Sequence, residues 1–139
     1  MPIRSIASIA TVLACATAAH AGALTVSIDG VEDRGGTFYI SIQSEAEFMK
    51  QEGTAGDVIS NIEAGTFSKS YDVPAGRYAV SIWHDENGNG VFDTEETGMP
   101  LDGWAMSGNA LTGPPTFDDV AVSVPAEGNA VRLAMSYHR

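Results

Sequence analysis

Residues 76–96 read GRYAVSIWHDENGNGVFDTEE, and a change of pattern inside this stretch decides the fold. Tyr78, Val80, Ile82 and His84 alternate with Ala79, Ser81 and Trp83, as in a strand with one buried and one wet face. At Asp85 the period of two stops and DENGNGVFDTEE begins. Its Asp at position 1, Asn at 3 and 5, Gly at 6, Val at 8 and Glu at 12 satisfy the calcium-loop pattern of helix–loop–helix proteins. The flanks do not match such a protein. A strand leads in, and Gly98 and Pro100 follow too soon for an exit helix.

Outward from this stretch the period of two persists. Leu24, Val26 and Ile28 share one parity, as do Phe38, Ile40 and Ile42, then Val120, Val122 and Val124, and finally Val131, Leu133, Met135 and Tyr137. Phe67, Tyr71 and Val73 form a weaker sixth run that Lys69 interrupts. Gly30 to Gly36, Pro74-Ala75-Gly76 and Pro125 to Asn129 carry turn chemistry, the last as a hairpin between the closing strands. Residues 44–53 offer one or two helical turns, with Ser44 as cap and Glu47 three residues on. The pattern predicts an all-β fold: one antiparallel β-sandwich, immunoglobulin-like or transthyretin-like, of six or seven strands. One long loop, Asp85 to Thr116, follows the strand ending at His84, and a loop of that length in a compact domain is usually functional or disordered.

The start of the chain has a different character. Arg4, the short apolar run Ile6–Ala19 and the small-x-small triplet Ala19-His20-Ala21 read as a signal peptide over 1–21, leaving 22–139 as the sandwich domain. Cleavage after Ala21 removes Cys15 and with it disulfides and thiol chemistry; acylation of Cys15 as a lipoprotein is the weaker fit, because Leu13 precedes Ala14. The run is too short and too rich in Thr and Ser to insert as a membrane span. Location is therefore expected to be secreted or periplasmic. With 18 acidic against 7 basic side chains the chain carries a net charge of −11, which opposes nucleic-acid and anionic-lipid partners.

Calcium takes six to eight oxygens, so a short chain must wrap it and turn alternate side chains inward. On that template Asp85, Asn87 and Asn89 offer side-chain oxygens, Val91 its carbonyl, Asp93 a direct or water-bridged oxygen and Glu96 both of its own, around a glycine turn at Gly90. The expected cofactor is one structural calcium ion. The plain alternative is a solvated Asn-Gly turn rich in acids.

At this loop the chain also resembles a known family. Pro74, Gly76, Tyr78, Ala79, His84, Asp85, Asn87, Asn89, Gly90, Gly98, Pro100, Asp102, Gly103, Trp104 and Ser107 fall on the pattern of the bacterial secreted family catalogued as domain of unknown function 2141. Asp102 stands where that family usually has glutamate, Trp104 where it often has tyrosine and Met106 where it often has phenylalanine. The family typically has no glutamate matching Glu96. The resemblance thus implies Asp102 as a rival seventh ligand, and an exported β-sandwich of unknown biochemical role.

Other residues carry competing readings. The parity of His84 points inward, where it satisfies a backbone group or orients a ligand carboxylate from behind. A small envelope hydrolase would instead assemble His84 with Ser107 and an acid. Trp83 points outward: it serves a sugar or protein partner together with Trp104, or the long loop folds back over it with Trp104 and Met106 against the sheet. Asp118 and Asp119, read as strand residues, point to opposite faces and make a solvated surface. The reading favoured is a non-enzymatic module whose long loop faces an envelope or extracellular partner, a protein or a glycan.

Overall fold

The computed structural model describes residues 21–109 and 111–139. Of the expected leader only Ala21 is among them; Arg4, Cys15 and the apolar run lie outside the described residues. Eight strands and one short helix follow in order: β1 Ala21–Val31, β2 Thr37–Gln43, β3 Ala55–Ser60, β4 Gly65–Pro74, β5 Gly76–Asp85, β6 Gly103–Met106, α1 Phe117–Val120, β7 Ala121–Val124 and β8 Asn129–Ala134. One sheet runs β4-β1-β8, the other β3-β2-β5-β6. β7 shares the β6 side of β5, pairing with Gly76–Ala79 while β6 pairs with Ser81–His84. The two layers make the expected all-β sandwich.

The inward parity read from the sequence is the parity of the core. Leu24, Val26 and Ile28 of β1 meet Phe38, Ile40 and Ile42 of β2 and Tyr78, Val80 and Ile82 of β5, with Leu133 of β8 behind them. Each such side chain, fully withdrawn from water, contributes roughly 1.5–3 kcal/mol. A smaller cluster lies on the outer face of the five-stranded sheet. There Ala79, Phe117 and Val120 pack with Phe48, Met106 and Leu111, so the 44–53 segment and α1 cover one half of that face.

Several details differ from the sequence expectation. The described residues form eight strands, not six or seven; β3 (AGDVIS) contains Gly and Asp, which strands avoid, and β6 is four residues long. β7 and β8 are not a hairpin. They belong to different sheets, and β8 enters beside β1 in a parallel register, Leu24 opposite Asn129 through Asp29 opposite Ala134. The turn at Pro125–Gly128 therefore crosses between layers. Residues 45–49 form turns rather than a helix, although Glu47 does accept from both the Ser44 amide and its hydroxyl. Asp118 and Asp119 sit in the first turn of α1, where Asp119 closes a capping box with Thr116 and Asp118 pairs with Arg77.

β3 is an edge strand, and its open side is closed by a charge. Asp57 points inward across the mouth of the sandwich and accepts from Lys69 Nζ and the Tyr71 hydroxyl, both at 2.7 Å. An inward charge on an edge strand discourages another chain from pairing there. The Lys69 bond first, and Tyr71 second, hold the Asp57 carboxyl below its ordinary range, while burial and then the bond to Asp57 push the Tyr71 phenol well up. A carboxylate with a depressed folded-state pKa stabilises the fold above the ordinary carboxylate range, and that contribution is lost as pH falls through the depressed value. Asp57→Asn is expected to lower stability by about 1 kcal/mol at pH 7. In melts taken from pH 7 down to pH 3 the gap should close on the acid side; a gap that stays constant with pH contradicts the assignment.

Candidate metal centre

Asp85 ends β5 with outward parity, yet it is only 1% exposed. The β1–β2 loop is laid against it: Gly36 has φ 67° and approaches so closely that a Cβ there would stand 1.9 Å from the Asp85 carbonyl oxygen. The buried carboxylate needs donors, and the chain beyond supplies them by folding back. Asp85 Oδ1 accepts from Asn89 N at 3.2 Å and Oδ2 from Gly90 N at 2.8 Å. Asn87 Oδ1 accepts from Asn89 N and Asn89 Oδ1 from Val91 N, at 3.1 and 2.9 Å. These overlapping turns wind residues 85–91 into an arc, with Gly88 and Gly90 at φ 68° and 72° where a side chain would strain the backbone. The arc closes on Asp93, whose Oδ2 accepts from the amide groups of both Asn87 and Asn89 at 2.7 and 2.9 Å.

Asp102 fastens the arc to the sheet. Only 3% exposed, it accepts from the Asp93 backbone N–H at 3.1 Å and from the Trp83 indole N–H at 2.8 Å, both through Oδ2. Between Asp93 and Asp102 the chain makes a small hairpin: Leu101 N donates to Asp93 O, Glu95 N to Met99 O and Gly98 N to Glu95 O. Glu96 lies in the turn of that hairpin, exposed, and no hydrogen bond among the described residues joins it to the arc. Of the two rival ligands, Asp102 is the one bonded to the arc.

The donor set suits a hard cation. A carboxylate or amide oxygen has two lone-pair directions, and both Asp85 oxygens, Asn87 Oδ1 and Asn89 Oδ1 each hold one backbone N–H in the structure. Asp93 Oδ2 holds two donors, the Nδ2 groups of Asn87 and Asn89. Among the described residues no three His, Cys, Asp or Glu gather into a metal cluster; the carboxylates here are interleaved with amides, as oxygen-ligand sites allow.

The remaining candidates are placed as follows. His84 is fully buried; a carbonyl only accepts, so Nε2–H donates to Gly35 O at 2.7 Å, and Nδ1 accepts from the Tyr137 hydroxyl at 2.9 Å. Tyr137 in turn accepts from the Glu32 N–H. His84 thus ties the β1–β2 loop and the C-terminal segment to the end of β5 and bonds no carboxylate of the arc. Ser107 is 1% exposed; its hydroxyl accepts from Val80 N and donates to Val120 O. It lies level with Val80, four residues along β5 from His84 and so roughly 13 Å away. The structure does not bring the two together, and both side chains are spent on holding the fold.

Trp83 is half-buried, stacked on Tyr39 at 4.6 Å between ring centres and met edge-on by Phe92. Trp104 and Met106 do not fold back over it. They belong to β6, which satisfies the free edge of β5, so Trp104 stands beside Trp83 and Met106 beside Ser81 in the same sheet. The sequence reading missed the Asp102–Trp83 bond and the role of Tyr137; the only signal for the first was the acid-Gly-aromatic triplet at 102–104. Removing the Asp102 acceptor leaves two donors without partners, each worth about 1–3 kcal/mol if it stays buried. Asp102→Ala is therefore expected to lower the melting temperature and raise acrylamide quenching of tryptophan, and unchanged quenching contradicts the bond.

Comparison with known proteins adds a lineage and no activity. No curated protein and no solved structure matches the chain. Residues 26–132, more than half of its length and the whole of the arc, match the family described as "Uncharacterized protein conserved in bacteria (DUF2141)". The chain belongs to that family.

Proposed function

We propose that the protein is an exported, non-enzymatic β-sandwich module that binds one calcium ion as a structural clamp in the 85–93 arc. The observation that carries this reading is the convergence of Asp85, Asn87, Asn89 and Asp93 on one hydrogen-bonded arc; the Asn87 and Asn89 amides, which donate to Asp93 there, would turn their oxygens to the ion. The Val91 carbonyl would supply a further oxygen, and Asp102, already bonded to Asp93, is preferred over Glu96 for the last ligand. A bound cation would offset charge among Asp85, Glu86, Asp93, Glu95, Glu96 and Asp102, whose basic partners are Arg34 on Glu86 and His138 on Glu95. Export rests on the 1–21 leader pattern, and the chemistry of two neutral amides among the ligands suits the high calcium of an extracellular setting. Among the described residues no helix is long and apolar enough to cross a membrane.

The hairpin that follows the arc is the surface offered to an envelope or extracellular partner. Met99 and Leu101 are exposed on it, next to the exposed Val91 and Phe92 of the arc, and a cation that stiffens the arc would fix their presentation. Calorimetry on chelator-treated protein should give one site with Kd of about 10⁻⁴ M. Calcium at a hundredfold excess over Kd should then add about 2.7 kcal/mol of stability. Asp85→Asn is expected to abolish both effects. No heat and no rise in melting temperature at millimolar calcium would overturn the proposal.

A further inference from the structure

The outer face of the five-stranded sheet is covered over one half only. Its other half is a groove of about 780 Å³, bounded by Lys50, Gln51 and Gly53 on one side, by Tyr39 and Trp83 on another, and by Gly90 of the arc. The floor is a row across three strands, Gly56 opposite Ser41 opposite Ser81. These side chains are small beside Tyr39 and Trp83, so a ligand can approach the sheet itself. We propose that this groove binds a neutral saccharide of one or two rings.

Four observations support that ligand class. The volume lies in the range of small-molecule sites. Tyr39 lines the groove as a half-buried aromatic ring, stacked on Trp83 on one side and opposite the exposed Val58 of β3. Trp83 itself is unavailable as a platform, because its ring is stacked and its N–H is held by Asp102. The Ser81 hydroxyl has no hydrogen-bond partner among the described residues. In the structure that oxygen is shielded from solvent in the wall of the groove, and a ligand there would meet it through another χ1 rotamer. An aromatic face next to unspent hydroxyls matches the apolar faces and polar rim of a sugar ring. Charge points the same way. Asp57 is already paired with Lys69 and bonded by the Tyr71 hydroxyl, and Lys50, the cation lining the groove side, donates its Nζ to the Ala46 carbonyl. The inward Asp57 also opposes an added peptide strand at β3, and an acyl chain would leave the serine hydroxyls unmet.

The test is titration of ¹⁵N-labelled full chain with maltose, cellobiose and N,N′-diacetylchitobiose, with decanoate as an acyl probe. Concentrations of about 10 mM suffice for the millimolar Kd that a single ring contact gives. At least one disaccharide should shift the amides of Tyr39, Gly56 and Ser81. Tyr39→Ala should weaken that binding about tenfold. Ser81→Ala should weaken it about fivefold without lowering the melting temperature, since the hydroxyl bonds nothing among the described residues. The proposal is overturned if no disaccharide moves these amides, if both variants bind as the parent does, or if only decanoate binds.

Discussion

A carboxylate sealed at the end of a strand organises this molecule. Asp85 is 1% exposed, with Gly36 packed against its backbone carbonyl, so its carboxylate oxygens must be met by protein donors. The nearest are the amides of Asn89 and Gly90, and reaching them reverses the chain within five residues. From that reversal follow the arc, the Asp93–Asp102 contact and the return of the chain as β6 along the same strand it left. β6 pairs with Gly103 opposite His84, where Tyr137 packs so tightly that a Cβ on Gly103 would meet its ring at 2.2 Å.

The alternation of β5 separates two tasks. Its inward residues Tyr78, Val80, Ile82 and His84 build the core and lock the C-terminal segment through the Glu32–Tyr137–His84–Gly35 relay. Its outward residues Ser81, Trp83 and Asp85 line, in order, a groove floor, an aromatic wall and an oxygen-rich arc. Substitution on one face can therefore alter ligand chemistry while leaving the packing of the other intact. The indole of Trp83 connects the two outward features, because Asp102 holds it from the arc side.

Strands with strict parity were legible in the sequence because burial on one face leaves a direct imprint on residue choice: Leu24, Val26 and Ile28 are all fully buried. β3 and β6 were not legible. β3 is an edge whose inward positions are Ala55, Asp57 and Ile59, and β6 gains its place from pairing with β5 rather than from any propensity of GWAM. Nor could alternation reveal which sheet a strand joins, so β8 was read as the hairpin partner of β7 when it lies parallel to β1. At the site, the arc from Asp85 to Asp93 was readable because a turn motif is local. The Asp102 bond and the spent hydroxyl of Ser107 depend on residues brought together across the fold, which spacing does not encode.

The central claim is that the arc binds a hard cation, and the adjacent indole makes it directly measurable. Terbium takes oxygen ligands as calcium does and emits when excited through a nearby tryptophan. Excitation of Trp83 with terbium present should give sensitised emission that saturates at one ion per chain, falls on addition of calcium and disappears in Asp85→Asn. Emission that is absent, or that survives in Asp85→Asn and ignores calcium, would contradict the account.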